Sequence, residues 1–252
     1  MKIITFLYSF CYNLAMFSEK FIVQSTDIDH NLEIRLSALL RYMQDVATNH
    51  ASKIKIGHEV LSKDRNIWVI VRMEMRINRL PKLDEEFIVS THPGAATPML
   101  FPRFFEIYDK HKKLLVSVSS SWVVINYDTR RIVLKPFKDR VLPSEIDKDD
   151  IPLPEKISGD ASELVDTRKA RYSEVDMNGH INNTHYIDYI LDTHLSSYYN
   201  DYRVSKLIIN FDKEIMDGDE IYLYSNKSNP EIIIGKVDGH NSFVSEIEFV
   251  KR

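Results

Sequence analysis

The pattern of hydrophobic positions along the chain occurs twice. Two segments have apolar residues at the spacing of an amphipathic helix, and each follows a short polar turn. The apolar positions are Leu36, Leu39, Leu40, Met43, Val46 and Ala47 in the first segment, and Tyr186, Ile187, Ile190, Leu191, Leu195 and Tyr198 in the second. An offset of 147 residues superimposes Asp29 on Asp176 and Asn31 on Asn178. The pattern therefore predicts two long helices, each with one buried face.

Strand patterns follow each predicted helix. The first copy contains NIWVIVRMEMRIN, EEFIVSTHP, MLFPRFFEIYD and KLLVSVSSSWVVIN, and the second contains KLIINFDKEI, DEIYLYS, PEIIIGKV and SFVSEIEFV. The turn after each first strand aligns Asp84 with Asp219, an offset of 135 that makes Arg79 the counterpart of Glu214. The fall from 147 to 135 places 12 extra residues in the first copy, most simply in IKIGHEVLSKDR. We expect an α+β fold in which each copy is a long helix wrapped by a curved antiparallel sheet.

The Pro- and Asp-rich segment 141–160 separates the two copies. It predicts a first unit over 17–140, a linker over 141–160 and a second unit over 161–252. Residues 1–16 form an uncertain N-terminal extension that is largely apolar but is interrupted by Ser9 and Asn13. A secretory signal, an extension upstream of a true start at Met16, and a docked strand all fit this segment.

Composition excludes several classes of protein. With 252 residues the chain can bury a sizeable core, and its net charge of -4 offers no general basic field for nucleic acid. The single cysteine, Cys11, excludes an intrachain disulfide and fits a reducing compartment, so we expect a cytoplasmic protein. No apolar run has the length and composition of a stable membrane span.

Candidate chemistry is concentrated in SEVDMNGHINNTHYIDYILD, residues 173–192. Asp176, Asn178 and His180 alternate there directly before the second helix, where they could cap the helix, bind a metal or catalyse a reaction. The first copy has Glu33 where the second has His180, so capping does not require the histidine. Zinc sites usually contain more His or Cys, and neither HExxH, G-x-S-x-G nor a phosphate-binding loop is present. We therefore expect no metal and no cofactor.

The segment DMNGHINNTHYIDYILD, together with NIWVIVRMEMRINRLPKLDEE and SSSWVVINYDTRRI, resembles the acyl-acyl carrier protein (acyl-ACP) thioesterases of plants and related bacteria. The likeness runs from about Phe17 to the C-terminus and implies a tandem hot-dog fold that releases free fatty acids from acyl carrier protein. It also implies the catalytic residues Asp176, Asn178, His180 and Glu214. The plant enzymes have a cysteine directly after this glutamate, whereas this chain has Ile215. We therefore expect attack by water, with Asp176 or Glu214 as the base.

The resemblance also implies an acidic carrier protein as partner. Candidate docking residues lie in two basic clusters, which would otherwise be solvated surface: Arg130, Arg131, Arg168, Lys169 and Arg171. Candidates for an acyl tunnel in the first copy are Met43, Ala47, Met73 and Met75. A hot-dog acyl-CoA thioesterase and a non-catalytic acyl-binding hot-dog protein are the alternative functions. We expect a monomer or a homodimer.

Overall fold

The computed structural model describes residues 16–137 and 152–252, so residues 1–15 and 138–151 of the predicted extension, first unit and linker lie outside the described residues. The first half contains β1 (Phe17–Ile22), α1 (Leu36–Lys53), α2 (His58–Leu61), a 3₁₀ turn (Ser62–Asp64), β2 (Asn66–Ile77), β3 (Glu86–Pro93), β4 (Phe101–Asp109) and β5 (Leu114–Asn126). The second half contains β6 (Glu163–Lys169), a 3₁₀ turn (Tyr172–Glu174), α3 (Asn183–Leu191), α4 (Tyr198–Asp201), β7 (Tyr202–Phe211), β8 (Glu220–Ser225), β9 (Glu231–Val237) and β10 (His240–Lys251). In the part of the chain described, no helix is both long and apolar enough to cross a membrane.

All ten of these strands form one antiparallel sheet in the order β1-β3-β4-β5-β2-β7-β10-β9-β8-β6. From the central pair outward, the first half has the order β2-β5-β4-β3-β1 and the second half has β7-β10-β9-β8-β6. The two halves therefore have equivalent strand orders. At this junction Met73 lies opposite Ile209, Met75 opposite Leu207, and Glu74 opposite Ile208. Adding 134 to a residue number in β2 gives the equivalent residue in β7, so Met73 is equivalent to Leu207 and Met75 to Ile209. The Glu74–Ile208 pair is equivalent to itself, and a pseudo-two-fold axis therefore passes through it. The predicted tandem hot-dog arrangement is confirmed.

One continuous apolar core lies between the helices and one face of the sheet. It includes Leu39 and Met43 from α1, Ile187 from α3, and Met73 and Ile209 from the two central strands. All five side chains are 0 % exposed, and full burial of such a side chain stabilises a fold by about 1.5–3 kcal/mol. Because side chains alternate along a strand, the residues between these positions face the opposite surface of the sheet.

The described part of the predicted linker crosses that opposite surface. Ser119 Oγ on β5 donates a hydrogen bond to the carbonyl oxygen of Pro152 (2.8 Å), and Asn210 Nδ2 on β7 donates to the carbonyl oxygen of Ile157 (3.3 Å). Near the end of the linker, Ile157 packs against an apolar cluster that Ala161 forms with Ile232, Ile234 and Val244 of the second half. The connection between the halves therefore also covers part of the sheet.

The first helix agrees with its predicted apolar pattern, whereas the second is shorter than predicted. Helix α1 has 18 residues, but α3 has 9 and ends at Leu191. Leu195, which we predicted to be on the buried face, is 80 % exposed. Thr193 Oγ1 donates to the carbonyl oxygen of Ile190 (2.6 Å), and Tyr199 Oη donates to that of Leu191 (2.7 Å). These side chains satisfy carbonyl groups that a longer helix would have used.

The structure corrects the predicted alignment of the two copies after the helices. Glu33 forms a β-bridge with Lys82, and His180 forms the equivalent bridge with Met216. The offset in the strands is therefore 134 and not 135, and the counterpart of Glu214 is Leu80 and not Arg79. The first copy thus contains 147 minus 134, or 13, extra residues, and most of them lengthen α1 instead of the connection that follows it.

Two matching hairpins lead into the two helices. In the second half, the N–H of Asp176 donates to the carbonyl oxygen of His180 (2.7 Å), and Gly179 closes the turn with a φ of +82°. In the first half, the N–H of Asp29 donates to the carbonyl oxygen of Glu33 (2.8 Å), and the residue at the glycine position also has a positive φ. The hairpin is therefore a common structural element of both copies.

The aspartate of each hairpin stabilises the turn. Asp176 Oδ1 accepts a hydrogen bond from the N–H of Asn178, and Asp29 Oδ1 accepts one from the N–H of Asn31, both at 2.8 Å. The N-cap of α3 is Asn182, whose side chain accepts from a backbone N–H two residues later. Helix capping by Asp176 or Asn178, considered above, is therefore not observed.

We expect Asp29→Ala to lower the free energy of unfolding by about 1–3 kcal/mol, because Asp29 Oδ1 accepts hydrogen bonds from two backbone N–H groups. Asp29→Asn retains an oxygen acceptor and should lose clearly less. Urea unfolding of both variants and the wild type measures the difference. Equal midpoints for all three proteins would contradict the turn-stabilising role.

Candidate active site

A cavity of about 690 Å³ lies at the junction of the two halves. The first half provides much of its apolar wall, including Trp68, Ile70, Phe101 and Trp122. The second half provides all four predicted catalytic residues, Asp176, Asn178, His180 and Glu214. The volume is within the usual range for cavities that bind small molecules. The structure thus brings the four predicted residues together beside an apolar space.

Glu214 lies just after β7 and interacts with residues from both halves. Its Oε2 atom is 3.4 Å from His180 Nε2, and its Oε1 atom accepts a hydrogen bond from Arg130 Nη2. Arg130 follows β5 and is 84 residues away in sequence. Sequence reasoning assigned Arg130 to carrier docking and missed its place in this cavity, because no local pattern signals so distant an ion pair.

The environment of His180 favours the neutral imidazole. Burial lowers the pKa of His180 below the ordinary value of 6.5, and the Arg130 guanidinium lowers it further, although Asp176 acts in the opposite direction. A neutral ring whose Nε2 atom faces the Glu214 carboxylate carries its proton on Nε2. The Nδ1 atom is then the ring nitrogen that can accept a proton.

Asp176 and Asn178 provide the other polar groups. Asp176 Oδ1 is bound to the backbone of the turn, while its Oδ2 atom is 3.4 Å from Asn178 Nδ2. The turn therefore fixes the position of the Asn178 amide group. Asn182 and Asn183, at the start of α3, line the same cavity, where the positive end of the helix dipole favours developing negative charge.

Ile215 occupies the position where the plant enzymes have a cysteine. Its side chain is 0 % exposed, and its N–H donates to Tyr186 Oη at 3.1 Å. Its carbonyl oxygen accepts from the N–H of Ile181 at 2.8 Å. This side chain therefore belongs to the core, next to the hairpin that carries His180. Cys11 lies outside the described residues.

The corresponding place in the first half is filled by other groups. Glu33, at the position of His180, accepts a hydrogen bond from Arg252 Nη2 at 2.8 Å. The amide Nδ2 of Asn31 donates to the carbonyl oxygen of Tyr199 at 3.1 Å, so α4 of the second half covers this hairpin. Leu80 stands in place of Glu214. In the residues that the structure describes, the first half therefore lacks both the histidine and the downstream carboxylate of the second.

The proposed tunnel residues occupy two different environments. Ala47 lines the cavity, where its small side chain leaves space. Met43, Met73 and Met75 are 0 % exposed and lie in the core without lining the cavity. Flexible methionine side chains fill such interior space well.

The proposed docking residues also differ in environment. Arg168 pairs with Asp166 (2.8 Å) and Asp192 (3.0 Å), and its guanidinium carbon is 4.8 Å from the centre of the Tyr189 ring. It is therefore held by contacts within the chain, as Arg130 is by Glu214. The other three, Arg131, Lys169 and Arg171, are exposed and form no ion pair with a described residue.

The fold and the cavity define a double hot-dog protein with a polar site at the junction of its described halves. The family model of the acyl-ACP thioesterase N-terminal domain matches residues 15–137, and that of the C-terminal domain matches residues 158–248. The chain therefore belongs to the acyl-ACP thioesterase family, as its sequence motifs predicted.

Individual relatives agree with this assignment. The chain is 22% identical to oleoyl-acyl carrier protein thioesterase 2 of Arabidopsis thaliana, over 89% of this chain and 66% of the plant protein. It is 25% identical to a dodecanoyl-[acyl-carrier-protein] hydrolase of Cinnamomum camphora, over 79% of this chain and 56% of that protein. The chain thus spans just under two thirds or less of the length of these curated relatives. The crystal structure of an acyl-ACP thioesterase from Bacteroides thetaiotaomicron matches with a TM-score of 0.82 and 25% identity, covering 95% of this chain and 99% of that one.

We expect the pKa of His180 to be below 6.5 and to rise in Arg130→Gln, because this change removes a nearby cation that disfavours the imidazolium. A pH titration of the His180 ring by NMR measures both values. Arg131→Gln is the matched control, since Arg131 is exposed and adjacent in sequence, and it should shift the pKa less. Identical His180 titrations in the wild type and Arg130→Gln would contradict this electrostatic arrangement.

Proposed function

We propose that this protein hydrolyses the thioester of acyl-ACP, giving a free fatty acid and holo-ACP and so ending fatty acid synthesis. The observation that carries the proposal is the meeting of His180, Glu214, Asn178 and Arg130 beside one large cavity with an apolar wall. An acyl chain requires apolar walls, whereas its thioester requires a base and hydrogen-bond donors. The family assignment gives the same substrate class.

In this proposal the acyl chain lies against Trp68, Phe101 and Trp122, and the thioester carbonyl faces the polar residues. The Asn178 amide donates a hydrogen bond to the carbonyl oxygen, and the N-terminus of α3 adds its positive dipole. Both act more strongly as the oxygen becomes negatively charged. Donors aimed at a developing oxyanion typically contribute a hundredfold to a thousandfold, roughly 2.7–4 kcal/mol.

His180 is the proposed general base. Its Nδ1 atom takes a proton from water as the water oxygen bonds to the thioester carbon, giving a tetrahedral intermediate. When the intermediate collapses, the carbon–sulfur bond breaks, and the protonated His180 returns the proton to the leaving thiolate. The products are a carboxylic acid, which ionises, and a free thiol on the carrier.

Glu214 acts through His180 in this scheme. Its carboxylate holds the proton on Nε2 and stabilises the imidazolium during the reaction, while Arg130 fixes the carboxylate in place. Because the Glu214 carboxylate is already in contact with both Arg130 and His180, we assign direct proton removal to His180 instead of to the carboxylate that the sequence suggested. Asp176 is assigned mainly to the turn that presents Asn178, because its Oδ1 atom is bound there.

The carrier is proposed to approach the mouth of this cavity in the cytoplasm. Arg131, Lys169 and Arg171 are exposed and suit an acidic partner better than Arg168, whose charge is already paired. The two halves contribute jointly to the cavity within one chain. We therefore propose that the site needs no second copy, whether the protein is a monomer or a homodimer.

The proposal is tested by measuring thiol release from acyl-ACP and from acyl-CoA with matched chains. We expect faster hydrolysis of acyl-ACP, and a loss between about a hundredfold and ten-thousandfold in His180→Ala, as is typical when a general base is removed. Glu33→Gln, at the corresponding position of the first half, is the control and should retain turnover.

Other outcomes separate the alternatives. A preference for acyl-CoA would identify an acyl-CoA thioesterase instead, and binding without thiol release would identify a non-catalytic acyl-binding protein. Full activity in a folded His180→Ala protein would exclude the proposed base.

A further inference from the structure

The cavity also contains a buried positive charge that the proposed reaction does not use. Arg103 on β4 is one of the lining residues and is only 8 % exposed. Its Nη1 atom lies 3.2 Å from His50 Nδ1 and 3.2 Å from Thr91 Oγ1. Burial lowers the pKa of Arg103 to about 10, which leaves the guanidinium charged at neutral pH. In the described residues no carboxylate forms an ion pair with this group, although buried charges are normally paired.

The pseudo-two-fold axis supplies an internal comparison. The row Arg103–Ser120–Met73 across β4, β5 and β2 corresponds to the row Glu231–Ile247–Leu207 across β9, β10 and β7. Arg103 and Glu231 therefore occupy equivalent positions. Each lies on the face of the sheet that is turned towards the helices. Both halves bury a charged residue at this position, but the charges are opposite.

The charge in the second half has a partner. Glu231 is 4 % exposed, its Oε2 atom is 3.2 Å from His194 Nε2, and its other carboxylate oxygen accepts a hydrogen bond from Ser225. Ser225 is the counterpart of Thr91 at the offset of 134, so the hydroxyl neighbour is common to both halves. Tyr198 and Phe249 pack against His194, with ring centroids 4.4 and 5.1 Å away. In the first half the ring beside the charged residue is His50, and Phe17 stacks on it with ring centroids 5.6 Å apart.

Arg103 is far from the reacting groups. Strand β4 is three positions from β7 in the sheet, which is roughly 14 Å at the usual strand spacing. Glu214 lies beyond the end of β7, so the separation along the strands adds to this distance. A chain whose thioester is beside His180 therefore needs at least medium length before its far end meets the guanidinium. Apolar side chains, including Trp68 and Phe101, line the cavity between these ends.

We propose that Arg103 binds a carboxylate at the far end of the acyl chain, so that the site accepts thioesters of medium-chain or longer dicarboxylic acids. The proposal rests on the thioesterase function proposed above and specifies its substrate class. A carboxylate gives the guanidinium a neighbour of opposite charge and pairs well with its planar shape, just as the Glu231 carboxylate of the other half has the His194 ring 3.2 Å away. A chain ending in a methyl group adds no counter-ion to a cation that has none among the described residues.

The test compares two ACP thioesters of equal chain length, one ending in a methyl group and the other in a carboxylate. For the wild type we expect kcat/KM for the carboxylate-ended substrate to equal or exceed that for the methyl-ended one. In Arg103→Met, kcat/KM for the carboxylate-ended substrate divided by that for the methyl-ended one should fall at least tenfold. The reason is that only the carboxylate-ended substrate loses a charge-assisted hydrogen bond. Equal effects on both substrates, or wild-type rejection of the carboxylate-ended one, would overturn the proposal.

A binding measurement separates this inference from the proposed hydrolysis. Non-hydrolysable pantetheine thioethers carrying the same two chains are titrated by calorimetry into both proteins. The wild type should bind the carboxylate-ended thioether more tightly, and Arg103→Met should reverse the order. If the wild type hydrolyses neither ACP thioester, the proposed thioesterase function is rejected. The relative affinities of the two thioethers still show whether Arg103 binds the carboxylate. Preference for the methyl-ended thioether by the wild type would reject the carboxylate site.

The equivalent position provides a structural control. Arg103→Met replaces a buried charge that forms no ion pair with a described residue by an apolar side chain, so the Tm of the ligand-free protein should stay the same or rise. Glu231→Met removes one member of a buried pair and should lower Tm. A fall in Tm for Arg103→Met as large as that for Glu231→Met would show that Arg103 is already compensated within the protein, and would contradict the proposal.

Discussion

The antiparallel pairing of β2 with β7 is the interaction on which the rest of the structure depends. The paired positions run only from Arg72↔Asn210 to Arg76↔Lys206. The first part of β2 extends beyond this contact, beside the residues that follow β7. This stagger places Glu214 of the second half next to the cavity wall of the first. Without the central pairing, neither half has both the apolar space and the polar residues.

The two halves share the same hairpin and strand order but differ in their polar residues and in the space beneath the helix. In the second half, the hairpin carries His180 and faces Glu214, whereas His194 and Tyr198 from the segment after α3 pack their rings against each other and against Phe249. In the first half, the hairpin is covered by the Glu33–Arg252 pair and by α4, while the cavity extends beneath the longer helix α1. In the proposed function, chemistry and chain binding thus belong to different copies of one structural unit.

Much of this arrangement could be predicted from the sequence, because it depends on local patterns. The repeat, the first helix and eight of the ten described strands follow from hydrophobic periodicity, whereas β1 and β6 were not among the predicted strands. The motif around His180 identified residues that the structure brings together. The contribution of Arg130 could not be predicted from local pattern, since it depends on how β5 of one half approaches β7 of the other. Periodicity indicates which face of an element is buried but not whether the opposing space is filled. That is why Met43, Met73 and Met75 resembled tunnel residues, although they fill the core and Ala47 borders the cavity. The second helix was predicted to be too long, because Leu195 continues the helical spacing of apolar residues beyond Leu191, where α3 ends.

The central claim is that one site per chain places the thioester at the second-half hairpin and the acyl chain in the first half. The most direct measurement is a crystal structure of the protein with a non-hydrolysable acyl-pantetheine thioether. The account predicts one bound molecule, with the head of its acyl chain beside Asn178 and His180 and the remainder along Trp68 and Phe101. A chain bound under the helix of the second half, or a second molecule at the Glu33 hairpin, would contradict it.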